Sequence, residues 1–418
     1  MEIKRDHYLK KLINRQHNNL IKIVTGVRRC GKTYLLFNLF HGYLMDSGVA
    51  QDHIIGIPLD DRSYKELRDP DNMLAFVKSR VSGNGPYYLM IDEIQLLPEF
   101  EDVLNSFLHI PNLDVYVSGS NSKLLSSDVI TEFRGRGDEV RIHPLCFREF
   151  MSVYDGPEEQ GWNEYFSYGG MPLVLSMKNY EDKAHYLKSM FKKVYMTDIL
   201  ERHKIRNQDE METLVKILAS AVGSLTNPRK LADTFKSRRQ AKVSQLTLKK
   251  YCDYLEDAFL ITKAERYDIK GKKYISTPSK YYFEDVGLRN ARLNFRQQEE
   301  NHIMENIIFN ELCVRGYSVD VGVIEVNEKD KKGKVHRKQL EIDFVANKGD
   351  KRYYIQSAFM MNTGEKTGQE QRSLNKIPDA FTRAIIVKDN IIPHRDEHGV
   401  LTIGVRQFLL NENSLDVY

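Results

Sequence analysis

The residues best suited to chemistry form one short stretch near the amino terminus, Gly26-Val27-Arg28-Arg29-Cys30-Gly31-Lys32-Thr33. This stretch matches the phosphate-loop pattern G-x-x-x-x-G-K-[ST], in which backbone N–H groups turn inward around a phosphate. The pattern predicts that Lys32 reaches the β- and γ-phosphates of ATP and that the Thr33 hydroxyl binds Mg²⁺. The predicted nucleotide-binding residues are Gly26, Arg28, Arg29, Cys30, Gly31, Lys32, Thr33 and Tyr34.

The elements on either side are those that a phosphate loop requires. An apolar run over 20–24 predicts a buried strand that enters the loop, and residues 34–40 predict the start of a helix that leaves it. The positive end of that helix would point at the same phosphate that the loop surrounds. The alternative, a chance glycine-rich turn, does not account for a complete motif in this context.

A second chemical signal lies about 60 residues further on, where the apolar run 87–91 ends in Asp92-Glu93. An apolar strand that ends in two acids is the Walker B pattern. We expect Asp92 to hold the Mg²⁺ shell and Glu93 to orient or deprotonate the attacking water. Solvated acids at an ordinary strand end are the alternative.

Two further candidates follow the next predicted strand, 114–117. Ser120 and Asn121 would lie beside the γ-phosphate and sense it, although both are also good helix N-caps. Arg136 lies in a glycine-flanked loop and is the first choice for an arginine that stabilises transition-state charge, in cis or across a subunit interface; Arg134 is the second choice. A solvated basic turn is the alternative for both arginines.

The chain resembles the prokaryotic AAA-type ATPases that carry a C-terminal domain of unknown function. The phosphate loop carries the resemblance, together with the runs 90–95, 118–120, 135–136 and 143–150. The family usually has Pro-Leu-Ser-Phe where this chain has Pro144-Leu145-Cys146-Phe147, so Cys146 replaces a serine. The resemblance also includes a Gly-Gly-x-Pro turn at 169–172 and a hallmark run at 281–290.

The predicted fold class is α/β. An AAA-type P-loop NTPase domain with a mainly parallel sheet would occupy residues 1–155, because strand and helix patterns alternate there. A helical linker and a winged-helix domain would follow over 156–290, with a hairpin around Lys270-Gly271-Lys272. Residues 226–250 hold eight Lys or Arg against one acid, so duplex DNA is a candidate partner for 229–250. Protein docking or an internal scaffold is the alternative use of a winged helix.

Residues 291–418 resemble a degenerate PD-(D/E)xK nuclease. Glu305, Asp343 and Gln356 map onto the first three positions of that pattern, and Ala358 replaces its lysine. We therefore expect a nuclease-like shape without cleavage activity. A charged turn is expected over 327–338. His394 and His398 are expected in a hairpin loop rather than at a metal.

Composition sets the remaining expectations. With 41% hydrophobic residues, a net charge of +4 and four distant cysteines, the chain is typical of a cytoplasmic protein with no membrane segment. The leading hypothesis is an Mg²⁺-dependent ATPase coupled to a C-terminal recognition region. An ATP-switched DNA-binding protein and a nuclease are the alternatives. A protein client and a homo-oligomer are further candidate partners.

Overall fold

The computed structural model describes residues 3–119, 135–239, 243–296, 299–329, 335–359 and 371–417. The chain forms two compact units: the first comprises Met1–Pro144 with Asp257–Phe259, and the second comprises Leu145–Glu256 with Leu260–Tyr418. The expected division into three domains, with boundaries at residues 155 and 290, stays a prediction.

The first unit alternates strands and helices, as its sequence pattern predicts. Its strands are β1 Ile21–Thr25, β2 Ile54–Pro58, β3 Tyr87–Asp92, β4 Leu113–Ser118 and β5 Gly137–Arg141. Its helices are α1 Asp6–Ile13, α2 Lys32–Tyr34, α3 His41–Asp46, α4 Pro70–Arg80 and α5 Phe100–Phe107, and a π-helical turn, Leu35–Phe40, joins α2 to α3. Short 3₁₀ segments lie at Gln51–His53, Arg62–Arg68 and Ile94–Leu96.

The five strands form one parallel sheet in the order β2-β3-β4-β1-β5. Every residue of β1, β3 and β4 is buried, as expected for parallel strands covered by helices on both faces. The carboxyl ends of β1, β3 and β4 meet at one edge of this sheet, which is where ligands bind in parallel α/β folds. The predicted parallel sheet is therefore confirmed, and its order places the predicted site residues together.

The second unit combines helices with a larger mixed sheet. Its helices are α6 Phe147–Met151, α7 Glu158–Tyr168, α8 Tyr180–Met190, α9 Thr197–Arg202, α10 Gln208–Ser220, α11 Pro228–Arg239, α12 Gln245–Asp257, α13 Val286–Arg292, α14 Glu300–Val314, α15 Val405–Leu410 and α16 Ser414–Val417. A 3₁₀ segment spans Pro172–Ser176, and a π-helical turn, Phe191–Met196, joins α8 to α9. The helices expected in the winged-helix segment are present as α10, α11 and α12, while the winged-helix assignment itself stays a prediction.

The strands of the second unit form one eight-stranded sheet in the order β12-β13-β11-β10-β9-β8-β6-β7. They are β6 Ile261–Asp268, β7 Lys273–Phe283, β8 Ser318–Lys329, β9 Val335–Lys348, β10 Lys351–Ala358, β11 Thr382–Val387, β12 His394–Arg395 and β13 Leu401–Gly404. The predicted hairpin is confirmed as β6–β7, and β6 also pairs in parallel with β8. The hairpin is therefore part of the same sheet as the C-terminal strands.

One expectation in this sheet is wrong. The charged run 327–338 is not simply a turn, because its described residues continue β8 and β9, with Asn327 opposite Arg337 and Glu328 opposite His336. Charged side chains are tolerated there because both strands extend beyond the buried core. His394 lies on strand β12 of a β12–β13 hairpin, opposite Thr402, and not in its loop, whereas His398 lies in the turn of that hairpin, as expected.

Two further properties concern the described residues. Among them, no helix is long and apolar enough to span a bilayer. All four cysteines are described and none forms a disulfide, and Cys30, Cys146 and Cys252 are buried.

Candidate nucleotide-binding site

The phosphate loop leaves β1 through a glycine that no other residue could replace without a shift of the backbone. Gly26 has φ +139°, and a Cβ there would lie 2.1 Å from the carbonyl oxygen of Ile142. Gly31 ends the loop in a left-handed conformation, with φ +105°, directly before α2. Both positions need glycine for a stated reason, which supports the motif assignment from the sequence.

Arg5 holds this loop through hydrogen bonds to backbone carbonyl groups. Its guanidinium Nη1 donates to the carbonyl of Cys30 at 3.0 Å, and its Nη2 donates to the carbonyl of His143 at 2.7 Å. Arg5 is buried, and sequence reasoning misses it because an arginine in a charged amino-terminal run carries no local signal. It ties the loop to the segment that follows β5.

Lys32 lies over the same loop. Its ammonium donates to the carbonyls of Gly26 and Val27, both at 3.0 Å. The side chain is buried, so these carbonyls replace the water that the charge loses.

The Walker B carboxylate lies at the centre of the site. Thr33 Oγ1 donates to Asp92 Oδ2 at 2.5 Å, and the Ser118 hydroxyl donates to Asp92 Oδ1. These three residues come from α2, β3 and β4, so the sheet order brings them together from positions up to 85 residues apart in the sequence. Sequence reasoning misses Ser118 as a site residue, although its place at the end of β4 is an available signal.

Glu93 is held beside this group. The residue has φ +53°, an uncommon conformation for a side chain of this size, and the Gln95 side-chain amide donates to its carboxylate. Gln95 lies in the run 90–95 that carries the family resemblance, but the sequence predicts no role for it. The structure thus pairs the predicted catalytic acid with a polar neighbour that fixes its orientation.

Arg136 lies at the opposite end of the sheet. Its carbonyl accepts a hydrogen bond from Ile21 N at 2.8 Å, at the start of β1, whereas the phosphate loop follows the end of β1. Its exposed guanidinium donates to Asn105 Oδ1 at 3.5 Å. Ser120, Asn121 and Arg134 lie outside the described residues.

Oxygen ligands suit Mg²⁺, and the hydroxyl of Thr33 and the carboxylate of Asp92 provide them at one point. A glycine-rich loop that packs closely against Ile142 at Gly26 and is followed by a helix amino terminus suits a phosphate. The residues present therefore fit both groups that the motifs imply.

A second polar cluster lies in the second unit, at the positions of the nuclease-like pattern. Glu305 of α14 and Asp343 of β9 are close together, as that pattern predicts, but a lysine from β7, Lys280, lies between them. Burial opposes the charge of Lys280, yet the negative groups around it raise its pKa well above its ordinary value. Ala358 is buried in an apolar cluster of the same sheet. Strand β10 does lack the lysine of the pattern, as expected. Lys280 of β7 nevertheless places a lysine at the site, so the expectation that the site has none is wrong.

Comparison with known proteins agrees with this architecture. The family described as "AAA domain" matches residues 18–151, and the family described as "Domain of unknown function (DUF8612)" matches residues 159–299. A full-length relative, an uncharacterized protein of Haemophilus influenzae, is 32% identical over 98% of this chain and 98% of its own length. Another, from Methanocaldococcus jannaschii, is 28% identical over 93% of this chain and 86% of its own length.

Among solved structures, the Aeropyrum pernix ORC1 protein in complex with DNA aligns with 72% of this chain and 94% of its own, at 13% identity and a TM-score of 0.28. The parallel sheet, the phosphate loop and the matching family define an AAA-type P-loop domain. The chain belongs to the family of prokaryotic AAA-domain proteins that carry a C-terminal domain of unknown function.

Proposed function

We propose that this protein binds and hydrolyses ATP with Mg²⁺, and that its C-terminal region reads out the nucleotide state. The observation that carries the proposal is the convergence of Thr33, Asp92 and Ser118 directly behind the phosphate loop. A buried carboxylate that accepts hydrogen bonds from two hydroxyls at the end of a parallel sheet is suited to holding a divalent cation beside a phosphate.

The chain's own residues divide the work as follows. Lys32 binds the β- and γ-phosphates, and the loop N–H groups orient them. Thr33 and Asp92 would hold Mg²⁺, which when bound neutralises charge on the phosphate oxygens. Glu93 orients the attacking water and accepts its proton, while Ser118 fixes the carboxylate of Asp92. Ser120 and Asn121 remain candidates for sensing the γ-phosphate.

Two substitutions test these roles. Lys32→Ala should weaken ATP binding strongly, because it removes the ammonium group that binds the β- and γ-phosphates. Glu93→Gln should bind ATP about as tightly as the wild type but hydrolyse it some 10²–10⁴-fold more slowly, the usual contribution of a positioned base. A fluorescence titration measures the ATP affinity of each variant, and a phosphate-release assay measures its hydrolysis rate. Hydrolysis by Glu93→Gln at the wild-type rate would remove Glu93 from the mechanism.

Coupling to the C-terminal region is the second half of the proposal. Loops that contact the γ-phosphate become ordered when it is present and relax after hydrolysis, which is a common switching device. A protein client is one candidate recipient of that signal. The transition-state arginine is proposed to come from a second copy of this chain, because Arg136 lies at the far end of the sheet from its own phosphate loop.

An ATP-switched DNA-binding protein with slow turnover is the other candidate. It is supported by the exposed basic side chains of α11 and α12, which include Arg229, Lys230, Lys236, Lys249 and Lys250. Exposed Lys and Arg on neighbouring helices could neutralise the phosphates of a duplex. A cytoplasmic location, suited to four cysteines that form no disulfide, is proposed in either case.

A further inference from the structure

The second unit contains a cluster in which three carboxylates surround one ammonium group. Lys280 Nζ lies 2.7 Å from Glu305 Oε1, 2.8 Å from Glu341 Oε1 and 3.3 Å from Asp343 Oδ1. The lysine side chain is only 3% exposed. The ammonium donates hydrogen bonds to Glu305 and Asp343, and Glu341 adds an ion pair, so the buried charge is surrounded by carboxylate oxygens.

The nuclease-like pattern implies a divalent metal at Glu305 and Asp343, and the residues present do not fit one. Metals such as Mg²⁺ and Ca²⁺ bind oxygen at about 2.0–2.6 Å. An ion at that distance from the same oxygens of Glu305, Glu341 and Asp343 would overlap the position of the Lys280 ammonium. The described residues also contain no group of three or more His, Cys, Asp or Glu side chains arranged to hold a metal.

Two of the three acids make further contacts with the fold. Asp343 Oδ2 accepts from Ser357 N at 2.8 Å. Tyr282 OH adds a second donor to Glu305 Oε1 at 2.7 Å, and Glu305 Oε2 faces Gly223, where a Cβ would lie 3.0 Å away. Rotating either acid toward a metal would therefore break contacts that the fold already makes.

We propose that Lys280 is a built-in cation that takes the place of the divalent metal, so that the nuclease-like region works without a metal ion and does not cleave nucleic acid. The ammonium joins β7 to α14 and β9 and so holds the hairpin strand on the acidic positions of the pattern. Its charge is enclosed by three acids, which is the arrangement in which removing one partner leaves the others uncompensated.

The test measures Mn²⁺ binding to the full chain without nucleotide, by electron paramagnetic resonance and calorimetry. Wild type and Asp343→Asn should bind the same number of ions, since any ion at Thr33 and Asp92 is common to both. Lys280→Met removes the charge while keeping an unbranched side chain, and it should gain one further Mn²⁺ per chain. Lys280→Met combined with Asp343→Asn should lose that gain.

Two results would overturn the proposal. One is an Mn²⁺ site in the wild type that Asp343→Asn abolishes, above all if the wild type cuts a labelled duplex with Mn²⁺ and the variant does not; Lys280 would then be a lysine beside a metal. The other is a folded Lys280→Met protein that gains no ion. If Lys280→Met does not fold, the comparison of wild type with Asp343→Asn still decides whether the native site takes a metal.

Discussion

Glu93 illustrates how the site is prepared at the level of single residues. It follows the last residue of β3 in a left-handed conformation, with φ +53°, which costs on the order of 1 kcal/mol for a side chain of this kind. The turn separates Asp92, which faces Thr33 and Ser118, from Glu93, which faces Gln95. Two adjacent acids thus receive different partners, which suits the different roles proposed for them.

Gln95 should act as a positioning residue for Glu93. Gln95→Ala removes the amide that donates to the Glu93 carboxylate. We expect kcat to fall by about tenfold, a part of the 10²–10⁴ that a positioned base supplies, with little change in KM for ATP. The kcat of Gln95→Glu should be lower still, because this substitution places a second carboxylate beside that of Glu93. A rise in kcat for Gln95→Ala would mean that the contact restrains Glu93 instead of orienting it.

Arg136 gives a separate prediction at this scale. Its exposed position at the start of β5 favours action on a neighbouring copy. Arginines of this type contribute about 10³–10⁵ in rate, so Arg136→Ala should lower kcat by at least about tenfold while ATP affinity stays close to the wild type. Steady-state kinetics and a binding titration separate the two effects.

The matched control for Arg136 is Asn105→Ala. It removes the contact at 3.5 Å that Arg136 makes in its own chain and should leave the rate unchanged, because a long exposed hydrogen bond contributes little. Mixing Arg136→Ala protein with Glu93→Gln protein tests action between copies, since each supplies what the other lacks. A mixture no more active than its components would count against the intersubunit role.

At the level of elements, two runs that carry the family resemblance, 169–172 and 281–290, contact each other in the second unit. Asp285 caps α13 by accepting from Leu288 N at 2.9 Å, and its other oxygen accepts from Gly170 N at 2.7 Å. A Cβ on Gly170 would lie 2.0 Å from the carbonyl oxygen of Leu145. The 169–172 turn and the 281–290 run therefore pack directly against each other. This contact explains why the turn has a glycine at 170 and the run has an aspartate at 285.

Asp285→Asn should destabilise the second unit. The amide has one acceptor oxygen and so leaves a buried N–H donor without its partner, which costs about 1–3 kcal/mol. Urea unfolding followed by Trp162 fluorescence measures this, because the one tryptophan of the chain lies in α7 of the same unit and is 8% exposed. An unchanged midpoint and slope would show that the Gly170 contact adds nothing to stability.

The same pair also carries a pH dependence. Burial raises the pKa of Asp285 from 3.8 to about 6, against the opposing effect of its backbone N–H donors. The folded chain therefore keeps a proton that the unfolded chain releases between these values, and the resulting stability is lost as pH rises through about 6. The stability difference between wild type and Asp285→Asn should be about 2 kcal/mol larger, in favour of the wild type, at about pH 4.5 than at about pH 7. A constant difference would contradict the raised pKa.

At the scale of the whole molecule, the sequence predicts what depends on local pattern. The phosphate loop, the strand ending in Asp92 and the parallel sheet all follow from short motifs and alternating elements. Arg5 and Lys280 could not be found this way, because their partners lie up to 138 residues away in the chain. The position of the β6–β7 hairpin in the larger sheet escapes prediction for the same reason, since strand pairing across the chain has no local signal.

The last prediction concerns DNA and the exposed basic residues of α11 and α12. If these residues bind phosphates, binding should be largely independent of sequence and should weaken steeply with salt. Replacing Arg229, Lys236 and Lys250 with Ala should lower the affinity and flatten the log–log salt slope by roughly 0.9 for each phosphate that the variant no longer neutralises.

The control replaces Lys178, Lys216 and Lys376, which are exposed outside this segment, and so removes the same net charge. Fluorescence anisotropy at several salt concentrations measures both sets. Equal reductions in affinity for the two sets would indicate non-specific attraction to a basic protein, and no binding near physiological salt would leave α11 and α12 as a surface for a protein partner.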